Sequence, residues 1–212
     1  MAIKPILFNT EMVRAILDGR KSCTRRLVRF LPGKNPQWTG YIRNGLMLYN
    51  GRNEPCIKRA PYQPGDILYV RETWQYLYEL DGNEQVIEDT GKYYYAATDT
   101  IPFDTYVDEN GVKHDHAPWR PSIHMPKEAA RIWLKVTDVR VERLQDITSE
   151  QISREGVEVE YPHVLNGEEK RYSFSTLWNS TIKKSDIDRY GWDANPWVWV
   201  IEFERCEKPE GV

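Results

Sequence analysis

The chain has 212 residues, 40% hydrophobic and 29% charged, a balance that excludes a disordered or fibrous protein. Its net charge of −3 excludes coating of nucleic acid through a broad basic surface, so any polyanion contact must be a local patch or a pocket. Three cysteines, Cys23, Cys56 and Cys206, lie far apart without a CxxC pair, which argues against a disulfide framework or a structural zinc and for reduced thiols.

In chain order, Ile3–Phe8 reads as a short strand, too short an apolar run for a signal peptide, and no stretch has the length to span a bilayer. A soluble cytoplasmic protein is therefore expected. Asn9 or Thr10 can cap a helix whose apolar stripe is Met12, Val13, Ile16 and Leu17. Gly19 stands where a left-handed residue stops that helix. The basic segment Arg20-Lys21-Ser22-Cys23-Thr24-Arg25-Arg26 emerges directly from the helix end.

Residues 31–61 are broken by Pro32-Gly33, Asn35-Pro36 and Asn50-Gly51, and read as an irregular insertion. Pro64-Gly65-Asp66 marks a turn into the strand Ile67–Glu72. Residues 75–118 read as a second insertion, with a strand candidate over Lys92–Thr98 and turns at Asp81-Gly82-Asn83 and Glu109-Asn110-Gly111. The strongest β signal is Ala130–Val141, where apolar and polar residues alternate from Ile132 onward. Thr148-Ser149-Glu150-Gln151 matches a capping box and opens a short helix ending at Glu155-Gly156. Residues 157–171 read as a loop and Phe174–Ile187 as partly helical, within a third insertion of about 157–196. An aromatic-rich strand, Trp197–Phe203, follows. Alternating βαβ units are absent, so the expectation is an α+β fold: one small, mostly antiparallel barrel with one or two flanking helices and aromatic-rich insertions.

Gly19, Lys21, Thr24 and Arg26 fit the spacing G-x-K-x-x-[ET]-x-R directly after the first helix. Together with the Pro64-Gly65-Asp66 turn and the Val200-Ile201-Glu202-Phe203 strand, this segment resembles the ASCH family, a PUA-like group of small β-barrels. The overlap covers residues 1–26, 62–74, 130–157 and 197–205. The longer, aromatic-rich form with Tyr69-Val70-Arg71-Glu72-Thr73-Trp74 is similar to members encoded by phages and prophages. The resemblance implies a nucleobase or nucleoside handled beside Gly19, Arg20, Arg25 and Arg26. It also implies, by likeness to small bacterial members that hydrolyse N4-acetylcytidine, catalytic roles for Lys21, Thr24 and Glu155. Non-catalytic reading of RNA or a modified base is the alternative, and a metal-assisted ribonuclease a third.

The chemistry of such a triad is coherent. A threonine hydroxyl is a weak nucleophile until a base takes its proton. A lysine serves as that base only when burial or neighbouring cations depress its pKa, and Arg20, Arg25 and Arg26 stand close in sequence. A carboxylic acid at Glu155 would protonate the leaving nitrogen. Equally, a Lys-Ser-Cys-Thr-Arg-Arg run can be a solvated basic loop, and Glu155 a surface carboxylate at a helix end.

Arg71, Glu72 and Trp74 form a second ligand-binding candidate. Strand alternation sets Glu72 and Trp74 on one face, where an indole would stack a base and a carboxylate accept its amino hydrogens; a core Trp beside an exposed Glu is the plain alternative. Residues Trp119–Pro126 can form a pocket wall, with His124 structural. His114-Asp115-His116 has the spacing of an exposed turn more than of a metal site, and no cofactor motif is present.

Overall fold

The structure is a computed structural model. It describes residues 1–34, 41–43, 47–79, 81–83, 85–101, 106–107, 113–114, 118–158 and 168–211. Asn35-Pro36, the Glu109-Asn110-Gly111 turn, Asp115, His116 and most of the loop after Gly156 lie outside the described residues.

The strands are β1 (Ile3–Leu7), β2 (Cys23–Leu27), β3 (Tyr41–Arg43), β4 (Met47–Tyr49), β5 (Ile67–Arg71), β6 (Trp74–Leu77), β7 (Lys92–Tyr95), β8 (Tyr106–Val107), β9 (Lys113–His114), β10 (Trp133–Arg143) and β11 (Trp197–Cys206). The helices are α1 (Thr10–Leu17), α2 (Ser149–Arg154), α3 (Glu168–Ser180) and α4 (Ile187–Tyr190), with single 3₁₀ turns between them. The main sheet runs β1-β5-β10-β11-β2, and β3–β4, β6–β7 and β8–β9 are antiparallel pairs. The fold is thus α+β with mostly antiparallel strands and short helices, the class the sequence predicts. None of the described helices is long and apolar enough to cross a membrane.

The chain divides into two compact units: Met1–Ala2, Asp18–Ile67 and Lys135–Arg205 form the first, and Ile3–Leu17, Leu68–Leu134 and Cys206–Val212 the second. In the first unit β11 pairs antiparallel with β2, setting Val200 opposite Arg25, Trp199 opposite Arg26 and Ile201 opposite Thr24. Because residues directly opposite share a face, Cys23, Arg25 and Leu27 lie on one face with Val198 and Val200. Thr24 and Arg26 lie on the other with Ile201 and Trp199. The first face is covered by Ile147, Ile152, Phe174 and Trp178 from α2, α3 and their lead-in, each such buried side chain contributing roughly 1.5–3 kcal/mol.

Helix α2 starts where the sequence says. The Thr148 hydroxyl accepts from the Gln151 amide, and the Gln151 side chain accepts from the Thr148 amide. Helix α3 begins at Glu168, earlier than expected. Its charged first turn, Glu168-Glu169-Lys170-Arg171, lacks the apolar period that marks helix starts, and the helix is fastened instead by Arg171, which donates to the carbonyls of Gln145 and Ile147.

In the second unit Asn9, not Thr10, caps α1, its side chain accepting from the Met12 amide. Strand β7 ends at Tyr95 rather than Thr98, because Asp99 accepts from the Tyr95 amide and closes a turn over 96–98. Strand β5 stops at Arg71 and β6 starts at Trp74. Glu72 thus lies between two strands rather than within one continuous strand with Trp74.

Candidate functional site

Gly19 has φ +75°, the left-handed conformation that ends α1 cheaply only for glycine, and the chain then turns into β2. Lys21 pairs with Glu155 as an isolated antiparallel bridge, and the Ser22 amide donates to the Arg154 carbonyl at 2.9 Å. The start of β2 is thereby stitched to the C-terminus of α2.

This stitching brings two of the three expected catalytic residues together. Lys21 Nζ donates to Glu155 Oε2 at 2.7 Å and to the Glu155 carbonyl at 2.9 Å. Arg25 donates to Glu155 Oε1 at 3.0 Å and to Gln151 Oε1 at 2.9 Å, and lies 3.5 Å from Glu142. The side chains of Lys21 and Arg25 are 0% and 1% exposed and that of Glu155 6%. Two cations and two carboxylates balance formally, which is the condition for keeping charges out of water. The network continues through Arg140 and Arg154, which both donate to Glu202 at 2.6 Å. Their bonds outweigh burial and hold the Glu202 carboxyl below the usual carboxylate range.

Cys23, beside this cluster, is buried, and its thiol is pushed up to about 12 by burial and then by the charge of Glu155. Such a thiol is inert as a nucleophile.

Thr24 is almost fully buried and, by alternation along β2, its side chain leaves on the face opposite Cys23 and Arg25. Arg20 turns away: it bonds Asp18, the Gly156 carbonyl and, at 3.1 Å, Glu158. Of the three arginines expected around Lys21, Arg25 alone shares its carboxylate.

Arg26 lies on the Thr24 face and lines a cleft of about 640 Å³. Burial pulls its guanidinium below the usual arginine value, against the pull of Tyr62 and Glu155. Tyr62, Tyr190 and Trp199 supply rings to the lining, and Arg29, Lys58, Arg59 and Lys183 supply cations, with Asp186 the acidic side chain among the lining residues. One wall is built where Phe30 bridges Ile57 antiparallel and the Lys58 amide donates to the Arg29 carbonyl at 3.3 Å. The opposite wall follows α3. Trp178 Nε1 donates to the Tyr190 carbonyl at 2.8 Å, and the Ile182 amide to the Asn179 carbonyl, fixing 181–190 against α3.

The comparisons with known proteins add little beside this geometry. No protein-family profile matches the chain, and no curated protein matches it. Among solved structures, the high-resolution crystal structure of an ASCH domain from Lactobacillus crispatus JV V101 is similar. It shares 12% identity over 96% of this chain and 79% of that one, with a TM-score of 0.37. A likeness at that level says nothing of chemistry.

The second candidate group belongs to the other unit and is knit differently. Glu72, 1% exposed, is bound by both arms of Arg131 at 2.9 Å, and Arg131 also lies 4.0 Å over the Tyr95 ring. The carboxylate is thus a core ion pair rather than an open acceptor. Trp74 is buried and pairs backbone to backbone with Arg120, whose guanidinium sits over its ring at 5.5 Å. Arg71 donates to the Ile123 carbonyl. His124 is exposed in a 3₁₀ turn, and His114 lies in β9.

The cleft residues Lys58, Arg59, Lys183 and Tyr190 were missed because their segments read as insertions, and Arg29 and Tyr62 because they flank one of them outside any motif. The signals that mark them are modest: a Lys58-Arg59 pair shortly before Tyr62, and a Lys183-Lys184 pair between helices.

Proposed function

We propose that this chain is an ASCH-type module that binds a nucleobase, carried on a nucleoside or on nucleic acid, in the cleft beside Arg26. The cleft itself carries the reading: three aromatic rings and five cations around about 640 Å³, in a chain whose net charge is −3. Flat rings stack bases of any kind, and arginine adds stacking and hydrogen bonds to base edges. The signature-like segment supports the same place, since its last residue, Arg26, lines the cleft. Equilibrium titration of nucleosides and short single-stranded oligonucleotides tests it. Binding weakened roughly tenfold or more by Tyr62→Ala and by Arg26→Met, with unchanged thermal unfolding, is expected from loss of a stacking ring worth about 1–3 kcal/mol. Equal binding by parent and variants would remove the proposal.

The 2.7 Å contact between Lys21 and Glu155 favours a second reading, an amidohydrolase acting on an N4-acylated cytidine-like base through Lys21, Thr24 and Glu155. Against it, a buried ammonium held by a carboxylate can act as a base only by surrendering that pair, and Thr24 leaves β2 on the other face. A chromatographic assay with N4-acetylcytidine decides. Release of cytidine by the parent, lost in Thr24→Ala, would establish the enzyme; intact substrate leaves the binding module.

A further inference from the structure

We infer that the ligand of this cleft carries phosphate, so that its substrate class is a nucleotide or a nucleotide strand rather than a bare base or nucleoside, an inference that rests on the cleft being the base site. The rim residues Arg29, Lys58, Arg59 and Lys183 are exposed, whereas Trp199 is buried and Tyr62 and Tyr190 are half-buried. Trp199 and the Arg26 guanidinium thus lie deep, Tyr62 and Tyr190 half-buried, and the other four cations at the mouth, the order in which a nucleotide presents base and phosphate.

The arrangement of those cations is the stronger argument. The antiparallel bridge of Phe30 with Ile57 puts Arg29 directly opposite Lys58, and like charges facing each other across a β pair are destabilising. Several of this chain's other cations are paired with carboxylates: Arg20 with Asp18, Lys34 with Glu54, Arg131 with Glu72, Arg140 and Arg154 with Glu202. Among the described residues, none of Arg29, Lys58, Arg59 and Lys183 meets a carboxylate in an ion pair. A chain with more acidic than basic residues, 32 against 29, has carboxylates to spare for such pairs. Five cations around one concavity, against Asp186 as the acidic side chain among its lining residues, repel one another, and an entering anion relieves that repulsion. A neutral base or nucleoside makes no use of them. A phosphate supplies acceptor oxygens and negative charge together.

The test compares a nucleoside, its 5′-monophosphate and a single-stranded octamer of the same base, for each of the four bases, on the full chain. The parent and the exposed double variant Lys58→Ala/Arg59→Ala are titrated at several salt concentrations. The monophosphate is expected to bind at least about tenfold more tightly than the nucleoside, as a charge-assisted hydrogen bond provides. The double variant is expected to lose that difference between monophosphate and nucleoside and to melt no lower than the parent. An octamer that binds tighter still, with a logarithmic salt slope of about 0.7 per neutralised phosphate, assigns the phosphate to a strand; equal octamer and monophosphate affinities assign it to a mononucleotide. Nucleoside and monophosphate bound alike, or a gain that survives in the double variant, overturns the inference and leaves the base site standing. No binding of any of the three overturns both.

Discussion

Glu155 accepts hydrogen bonds from Lys21 and Arg25 in a space nearly closed to water. Removing one member of such a cluster strands a buried charge, so Glu155→Gln is expected to cost about 3–5 kcal/mol in chemical denaturation. A loss under 1 kcal/mol would show that the cluster is solvated and open to chemistry. Cys23 gives a pH signature at the same spot. Its folded thiol stands near 12 against an ordinary value of 9.0. The stability it contributes is therefore complete below pH 9 and is lost as pH rises from there toward 12, because the unfolded chain sheds the proton first. Alkylation should accordingly miss Cys23 in the folded protein at pH 8 and reach it on unfolding, read by mass spectrometry of the labelled peptide. Replacing Cys23 by Ala should flatten the decline in stability above pH 9; an unchanged decline would assign it to other groups.

At the scale of elements, α2 is the piece that carries Glu155 and Gln151 to β2, and its two ends are set locally. Thr148→Ala removes the cap and is expected to cost about 1 kcal/mol. Gly156, at φ +80°, stops the helix, and Gly156→Ala should cost about 1–2 kcal/mol, both measured by thermal unfolding. These ends were legible because capping residues and a terminal glycine act over four or five positions. The meeting of Lys21 with Glu155 was legible only through family likeness, since the two residues stand 134 positions apart and nothing local encodes the encounter. Alternation along β2, visible in the sequence, separates Thr24 from Cys23 and Arg25, yet its meaning depends on which face α2 covers. The break between β5 and β6 at 72–73 was not legible because no proline or glycine announces it.

Across the molecule, the acidic balance and the cleft point the same way: any recognition of a polyanion must be confined to one place. The α+β class, the long strands β10 and β11 and the capped helices could be read from period and caps. The cleft could not, because its lining comes from residues 26–29, 58–62, 181–190 and 199, joined by the Phe30–Ile57 bridge and the packing of α3, which are tertiary events. The most direct measurement of the central claim is photocrosslinking of a single-stranded oligonucleotide carrying 4-thiouridine, followed by mass mapping of the modified peptides. The account expects adducts at Tyr62 and within 181–190, suppressed by unlabelled oligonucleotide and by Tyr62→Ala. Specific adducts confined to peptides outside the cleft, or no competed adduct at all, would contradict it.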